Sequence, residues 1–440
     1  MDFPDTAALC RSELAKLLAS LHLEPGLSEQ VDFVGDDTIF ATRFRVGTAA
    51  GVTLAAATLA AFAAIGRTQR FRVDLDLAAL TTQGYRHVLL DGAPVAAPRD
   101  ALTGLYDTKD GRLVFLHTNF AHHRERLLAL LEAEPTRESI ARRVLGWEAM
   151  ALEDSMAEAG AIGAMARSRA EWVESAQGRA LAGLPSVEVV RIGDSPPEPW
   201  SDSAAPLSSV RVIDFTRVLA GPTCGKTLAE LGARVRRIEN PLYPDLLSYQ
   251  LDSNRDKQQV TLDLRQPKAC DGLREMIAGS DVFLQAYRPG VAQRFGLDAN
   301  ALASLRPGIV YASLSAYGHV GPWQARRGFD SVLQASAGLA MQEGGGVPRL
   351  MPVSPLDYMC GYLLALGAAV ALRRRAQTGG SYLVRTSLAQ AANWLTSLGQ
   401  SAAGREPRDC ERLVRDHSID SPGPLGSVHH LRSPISLIGA

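Results

Sequence analysis

The sequence predicts an α/β protein in which a large domain, built on a doubly wound parallel sheet, is joined to a smaller α+β domain. Three observations carry this reading. From Val210 onward short apolar runs alternate with helical stretches, the pattern of a parallel sheet covered by helices. Residues 105–193 follow a different rhythm, with a strand signal and then a row of helices. Between them Asp194 to Ser209 is dense in Pro and Ser and reads as a linker or a chain crossing between domains.

The N-terminus, Met1-Asp2-Phe3-Pro4, lacks the basic start and apolar run of a signal peptide. Five cysteines (Cys10, Cys224, Cys270, Cys360, Cys410) are scattered, with no CxxC and no Cys/His pairing at metal spacing. A reducing cytoplasm is expected, with neither a disulfide framework nor a metal site. Val46 to Gly66 carries no charge and is long enough to span a bilayer, yet its Ala, Gly and Thr content favours a helix packed in a core.

In the small domain, Asp107 to Gly111 reads as a turn and Arg112 to Thr118 as a strand. Helices are expected over His123 to Leu131, Arg137 to Leu145, Trp147 to Ala157 and Arg169 to Ser175. His117, His122 and His123 have no carboxylate or Cys at matching spacing, so they read as a polar loop before a ligand set.

The large domain follows with strands at Val210 to Phe215, Arg234 to Ile238, Val282 to Ala286 and Ile309 to Leu314, and helices at Gly221 to Leu231 and Asp271 to Ala278. Its first strand-to-helix loop, Thr216 to Pro222, is neither a GxGxxG turn nor a P-loop, so the nicotinamide, flavin and nucleoside-triphosphate fingerprints are missing. Lys+Arg (46) nearly balance Asp+Glu (47), which argues against a nucleic-acid partner while leaving room for a local basic pocket.

Asp357 stands alone in the apolar stretch Pro352 to Gly361, where a long, almost uncharged helix begins at Tyr358 and closes on Arg373-Arg374-Arg375 and Gly379-Gly380. A carboxylate there is either an N-cap for an orphaned backbone N–H or a nucleophile in an apolar pocket, and one side chain can serve as both. There is also an internal echo. Aligning Gly51 with Gly361 also matches Leu54 with Leu364, Ala61 with Ala371 and, one insertion later, Val73 with Val384. The partner of Asp357 is then Gly47, so the first copy keeps the helix and lacks the carboxylate.

Several stretches together resemble one family: Val212-Ile213-Asp214-Phe215-Thr216-Arg217-Val218-Leu219-Ala220-Gly221-Pro222, Glu230-Leu231-Gly232-Ala233, Asn254-Arg255-Asp256-Lys257, Asp281 to Gly290, and Ser315-Ala316-Tyr317-Gly318. From Val210 to about Leu395 the chain resembles the family III CoA-transferases, the group that includes formyl-CoA and carnitine CoA-transferases and the 2-methylacyl-CoA racemases. A weaker match at Gly423 to Ile435 is similar to that family's return strand. The resemblance implies residues 1–104 as a degenerate partial copy of the large domain, 105–193 as the small domain, 194–209 as the linker, and 210–440 as the catalytic large domain with its return segment.

The resemblance also implies function. Asp357 is the expected nucleophile, forming an aspartyl-CoA thioester while CoA moves from an acyl-CoA to a small carboxylic acid. Arg217, Val218, Lys257, Ala286, Tyr287 and Arg294 are the expected CoA contacts, although on local sequence the two arginines also read as surface charges and Tyr287 as core. CoA is a substrate, with no tightly bound cofactor, and a homodimer is implied. The alternatives are an acyl-CoA racemase or isomerase and a non-catalytic acyl-CoA-binding protein. Against the racemase stands Gly328-Phe329-Asp330, where the resembling racemases have Gly-His-Asp; Asp330 reads as the cap of a helix beginning at Ser331. Arg326, Arg327 and Arg349 are candidates to hold a substrate carboxylate. The glycine-rich shielding loop of formyl-CoA transferases has no counterpart downstream of Asp357, and Gly344-Gly345-Gly346 upstream reads as a hairpin turn.

Overall fold

The computed structural model describes residues 5–96, 99–199, 205–401 and 409–438. The N-terminal part is a strand–helix–strand unit. Strand β1 (Val31–Val34) leads to the long helix α1 (Val46–Ala64), and β2 (Phe71–Asp74) lies parallel to β1. Helix α1 is uncharged because nearly every residue in it is buried, and none of its faces meets water.

The small unit is a three-stranded antiparallel sheet of β3 (Gly104–Asp107), β4 (Leu113–Leu116) and β5 (Gly163–Met165). The helices Ala121–Leu131, Arg137–Val144 and Ala149–Ala159 pack on it around Leu127, Ile140, Leu152 and Met156. The histidines expected in a polar loop are elsewhere. His117 is buried just past β4, and His122 and His123 lie in the first turn of the helix that follows.

The next strand, β6 (Glu188–Gly193), leaves this unit and joins the large sheet as its one antiparallel edge. The remaining strands are β7 (Arg211–Phe215), β8 (Arg234–Glu239), β9 (Gln258–Thr261), β10 (Val282–Gln285), β11 (Val310–Ser315) and β12 (Ser381–Ser387), in the order β9-β8-β7-β10-β11-β12-β6. The chain runs outward from β7 through β8 to β9, then returns to the other side of β7 and continues through β10 to β12. The strand order therefore reverses between β7 and β10, and the crevice at the carboxyl ends of that pair is where ligands bind in open α/β sheets. The stretch 194–209 is partly described. Outside Trp200 to Ala204 it is pinned to the large domain, Glu198 pairing with Arg306 and the Ser195 carbonyl accepting from Gly380.

Helix α2 (Ala220–Glu230) follows β7, and α3 (Pro355–Thr378) runs through the core between β11 and β12. Like α1, α3 is long and apolar enough to cross a membrane, and the two lie buried against each other. Gly361 lets α3 approach α2 closely, since a Cβ there would stand 2.6 Å from the Thr223 Cβ. At the other end of the chain, β13 (Ile435–Leu437) pairs antiparallel with β2.

Three local expectations change. Asp357 is not the N-cap of α3; the helix starts at Pro355, three residues earlier than expected, Ser354 occupies the cap position, and Asp357 stands in the first turn. Pro355 explains the shift, because its ring presets the helical φ at the first position and its missing N–H costs nothing there. Asp330 does not cap the helix Asp330–Ser336, whose cap position is Phe329; its carboxylate turns to α3 instead. Gly344-Gly345-Gly346 is not a hairpin but the turn that ends the short helix Leu339–Glu343.

The echo extends beyond the aligned residues. Strands β1 and β2 are parallel and joined through α1, as β11 and β12 are parallel and joined through α3. A buried aspartate from upstream closes each helix start. Asp37 accepts the N–H groups of Gly47 and Thr48, and Asp330 those of Leu356 and Asp357.

Candidate active site

The loop after β7 lies at the strand-order reversal, and buried charge holds its shape. Asp214, within β7, accepts the Thr216 N–H at 3.1 Å and pairs with the Lys257 ammonium at 2.7 Å. Lys257 also donates to the Pro222 carbonyl (2.7 Å) and the Asn254 side chain (2.9 Å). Burial pushes the Lys257 ammonium down to about 8, against the pull of Asp214. Further along, Val218 adopts φ +71°, a left-handed conformation that a β-branched residue takes only at a cost of order 1–3 kcal/mol. Its N–H donates to Asp245 at 3.2 Å, and Asp245 is gripped by Arg237 at 2.5 Å and Arg217 at 3.4 Å. This strained turn points the loop into the crevice.

Asp357 faces the loop from the first turn of α3. It is 7% exposed, and its carboxylate makes no hydrogen bond or ion pair among the described residues. Asp330 accepts the backbone N–H groups of Leu356 (2.7 Å) and Asp357 (3.2 Å) and the Gln334 amide (2.5 Å). The carboxyl of Asp357 is therefore pushed well above the usual carboxylate range, first by burial and then by the nearby charge of Asp330. Asp330, better supplied with donors, is raised by burial only to about 6.

Asp357 borders a cavity of about 640 Å³ that the loops at the carboxyl ends of β7, β8, β10 and β11 enclose together with the small unit. Five of the six expected contacts line it: Arg217, Val218, Ala286, Tyr287 and Arg294. Lys257 does not reach it, because its ammonium lies beneath α2 in the Asp214 network. The Tyr287 ring packs on Phe215 at 4.8 Å and gives the wall an apolar face.

Sequence reasoning named two members of the cationic rim, Arg294 and Arg327, and missed the other two, Arg126 and Arg288. Arg126, Arg288, Arg294 and Arg327 line the cavity, and none pairs with a carboxylate among the described residues. Burial and the charges of Arg288 and Arg126 pull Arg327 down to about 10, so this cluster repels itself until an anion arrives. No single motif carries the set, since Arg126 comes from the small unit and the others from two separate loops. Arg327 thus stands in the cavity wall with no carboxylate partner among the described residues, whereas Arg326, which also lines the cavity, is stacked on Trp323 (4.3 Å) and paired with Asp154. Arg349 pairs with Glu343 at 3.1 Å and lies away from the cavity. His122 and His123 also line the wall, and burial holds His123 far below its ordinary range, at about 2, hence neutral. No group of three or more His, Cys, Asp or Glu side chains suited to a metal ion occurs among the described residues.

Residues 207–415 match the model of CoA-transferase family III. Among curated proteins the chain is similar to an acetyl-coenzyme A transferase, nodX, of Hypoxylon pulicicidum, with 32% identity over 331 residues, covering 69% of this chain and 56% of that protein. It is 36% identical over 205 residues to a probable fatty acyl-CoA transferase of Mycobacterium tuberculosis, covering 43% of this chain and 52% of the relative. The beta subunit of a succinyl-CoA–L-malate CoA-transferase from Chloroflexus aurantiacus is 35% identical over 196 residues, covering 40% and 48%. The chain spans about half the length of the curated relatives it matches. The loop after β7, the helix that carries Asp357 and the sheet that joins them all fall inside the matched segment, and through that segment the chain belongs to CoA-transferase family III.

Proposed function

We propose that the protein is a CoA-transferase that moves CoA from an acyl-CoA to a small carboxylic acid through an aspartyl-CoA thioester on Asp357. One observation carries the reading: a buried carboxylate stands in the wall of a cavity rimmed by four guanidinium groups, and among the described residues none of the five has a hydrogen-bonded carboxylate or cationic partner. CoA is a polyanion on an apolar arm. Arg126, Arg288, Arg294 and Arg327 suit its phosphates, and the Phe215–Tyr287 wall suits the arm.

The chemistry then runs in balanced steps. A carboxylate oxygen of Asp357 attacks the thioester carbon of the donor, the C–S bond breaks, and CoA thiolate leaves a mixed anhydride. The thiolate attacks the aspartyl carbonyl carbon, and the donor's carboxylate departs. An acceptor carboxylate attacks the resulting thioester and expels the thiolate. The thiolate then attacks the acceptor's carbonyl in the second anhydride, which releases the new acyl-CoA and restores the Asp357 carboxylate. Splitting one exchange into four substitutions lowers each barrier. Asp330 is a positioning residue that fixes the first turn of α3 and so the direction of the attacking oxygen. On this reading CoA is a substrate, no cofactor is tightly held, and the working form is a cytoplasmic homodimer.

The test is to incubate the protein with a panel of acyl-CoAs, trap with hydroxylamine or borohydride, and locate the modified residue by peptide mass spectrometry. Modification at Asp357 is expected. Label on another residue, or on none with any donor, sinks the reading.

A further inference from the structure

A second, smaller chamber of about 110 Å³ opens on the other side of Asp357. The two chambers share Val218, Leu219, Phe329 and Asp357, which sets the carboxylate at the neck between them. Their walls differ in origin. Much of the small chamber comes from outside the segment that matches the family: Arg86 from the N-terminal part, and Arg99, Thr103, His117 and Asn119 from the region of the small unit.

These side chains leave donors in surplus. Arg86 uses Nη1 on the Gln83 side chain and the Pro352 carbonyl, and neither Arg86 nor Arg99 pairs with a carboxylate among the described residues. The Asn119 oxygen already accepts from the Asp100 N–H and the Thr103 hydroxyl, so its amide nitrogen is what remains for a ligand. His117, buried and stacked on Phe329 at 4.3 Å, forms an uncharged wall. Both arginines are exposed, so an entering anion meets them from solvent. The volume corresponds to a few waters, which admits an acid of roughly four carbons and excludes a long acyl chain.

We propose that this chamber selects the acid, and that it takes short carboxylic acids carrying a second anionic group, held by Arg86 and Arg99. The proposal rests on the transferase reading for its place in the reaction. One carboxylate of the acid reaches the neck at Asp357 and the other meets the guanidinium groups. The acceptor arrives while Asp357 is a neutral thioester, so Asp330 alone remains to repel it.

The experiment measures direct binding of succinate and butyrate, four-carbon probes with and without a second carboxylate, to the full chain by titration calorimetry. Binding of CoA is measured separately on the same samples. The proteins are wild type, the double variant Arg86→Ala/Arg99→Ala, and the conservative double variant Arg86→Lys/Arg99→Lys. Wild type is expected to prefer succinate by about tenfold or more, the value of one charge-assisted contact. The alanine pair should lose that preference and the lysine pair keep part of it, with CoA affinity unchanged throughout. Equal affinity of wild type for both acids, no binding of either, or a preference that survives the alanine pair overturns the proposal. If the preference behaves as expected and no form binds CoA, the chamber stands and the transferase reading falls.

Discussion

The carboxylate of Asp330 accepts the backbone N–H of Asp357 at 3.2 Å, so one buried acid fixes the helix start from which another is presented. The side chain of Asp357 is left without a structural partner among the described residues. Replacing it by Ala should therefore abolish CoA exchange while leaving stability unchanged or slightly raised, because a buried carboxyl with no hydrogen bond is removed. Asp330→Ala should instead cost about 1–2 kcal/mol, the usual loss for a helix cap. Denaturant unfolding beside an exchange assay checks both. An Asp357→Ala protein that exchanges CoA at near the wild-type rate would end the assignment.

The pair also sets a pH dependence. Attack needs the carboxylate form of Asp357, which burial and Asp330 push upward, so thioester formation should rise with pH through a range well above the usual carboxylate value of ~4. Asp330→Asn keeps an oxygen for the cap and removes the charge, and should move that limb to lower pH. Stability runs the other way. Asp330 and Asp37 are both raised to about 6, so the stability they lend is complete below the unfolded value of ~4 and is lost as pH rises through 6. Single-turnover rates and thermal midpoints between pH 4.5 and 8 test the two signs, and an unmoved limb in Asp330→Asn counts against the coupling.

Lys257 and Arg294 separate packing from binding. Lys257→Ala leaves Asp214 buried and unpaired, and should cost about 3–5 kcal/mol. Arg294→Ala, at the cavity rim, should change stability by less than ~0.5 kcal/mol and weaken CoA binding with a shallower salt dependence. If the two variants exchange these phenotypes, the placement of Lys257 beneath α2 is wrong.

Racemisation of a 2-methylacyl-CoA should be absent or very slow. Two-base epimerisation needs a titratable group on each face of the α-carbon, and this chain has Phe329 where the racemases it resembles have a His. The imidazole that stacks on it, His117, is held by burial at about 4 and stays neutral. Deuterium wash-in at the α-carbon in heavy water, without an acceptor acid, reads this directly, and rapid exchange with loss of optical purity favours the isomerase alternative.

The alternating strands and helices after Val210 were legible because each buried strand is a short apolar run and each crossover a helix. Asp357 was legible as a lone acid in apolar surroundings, but its cap role was misread, since the true cap lies 27 residues upstream. Local sequence cannot report a hydrogen bond that the tertiary fold creates. Lys257 failed for a similar reason. A basic residue in a matching segment looks like a phosphate ligand until its partner, Asp214 on β7, two strands away in the sheet, is seen to hold it. Of the four arginines that lack a carboxylate partner among the described residues, Arg294 and Arg327 were legible, while Arg126, more than a hundred residues before the others, and the second chamber were not, because only the tertiary fold brings those segments together.

Strand β13 bears on how the chain is made. Gln69 donates to the carbonyl of Ile438, 369 residues away, and β2 finds its outer neighbour only in Ile435–Leu437. On the ribosome the first strand–helix–strand unit must wait, with one edge open, until residues 435–437 have been synthesised. Helix α1 waits too, since the face it buries belongs to α3. Nascent chains that stall before residue 355 should therefore display a long apolar helix and an unpaired strand, the surfaces that trigger factor-type holdases recognise, and a slow translational pause there should raise chaperone occupancy.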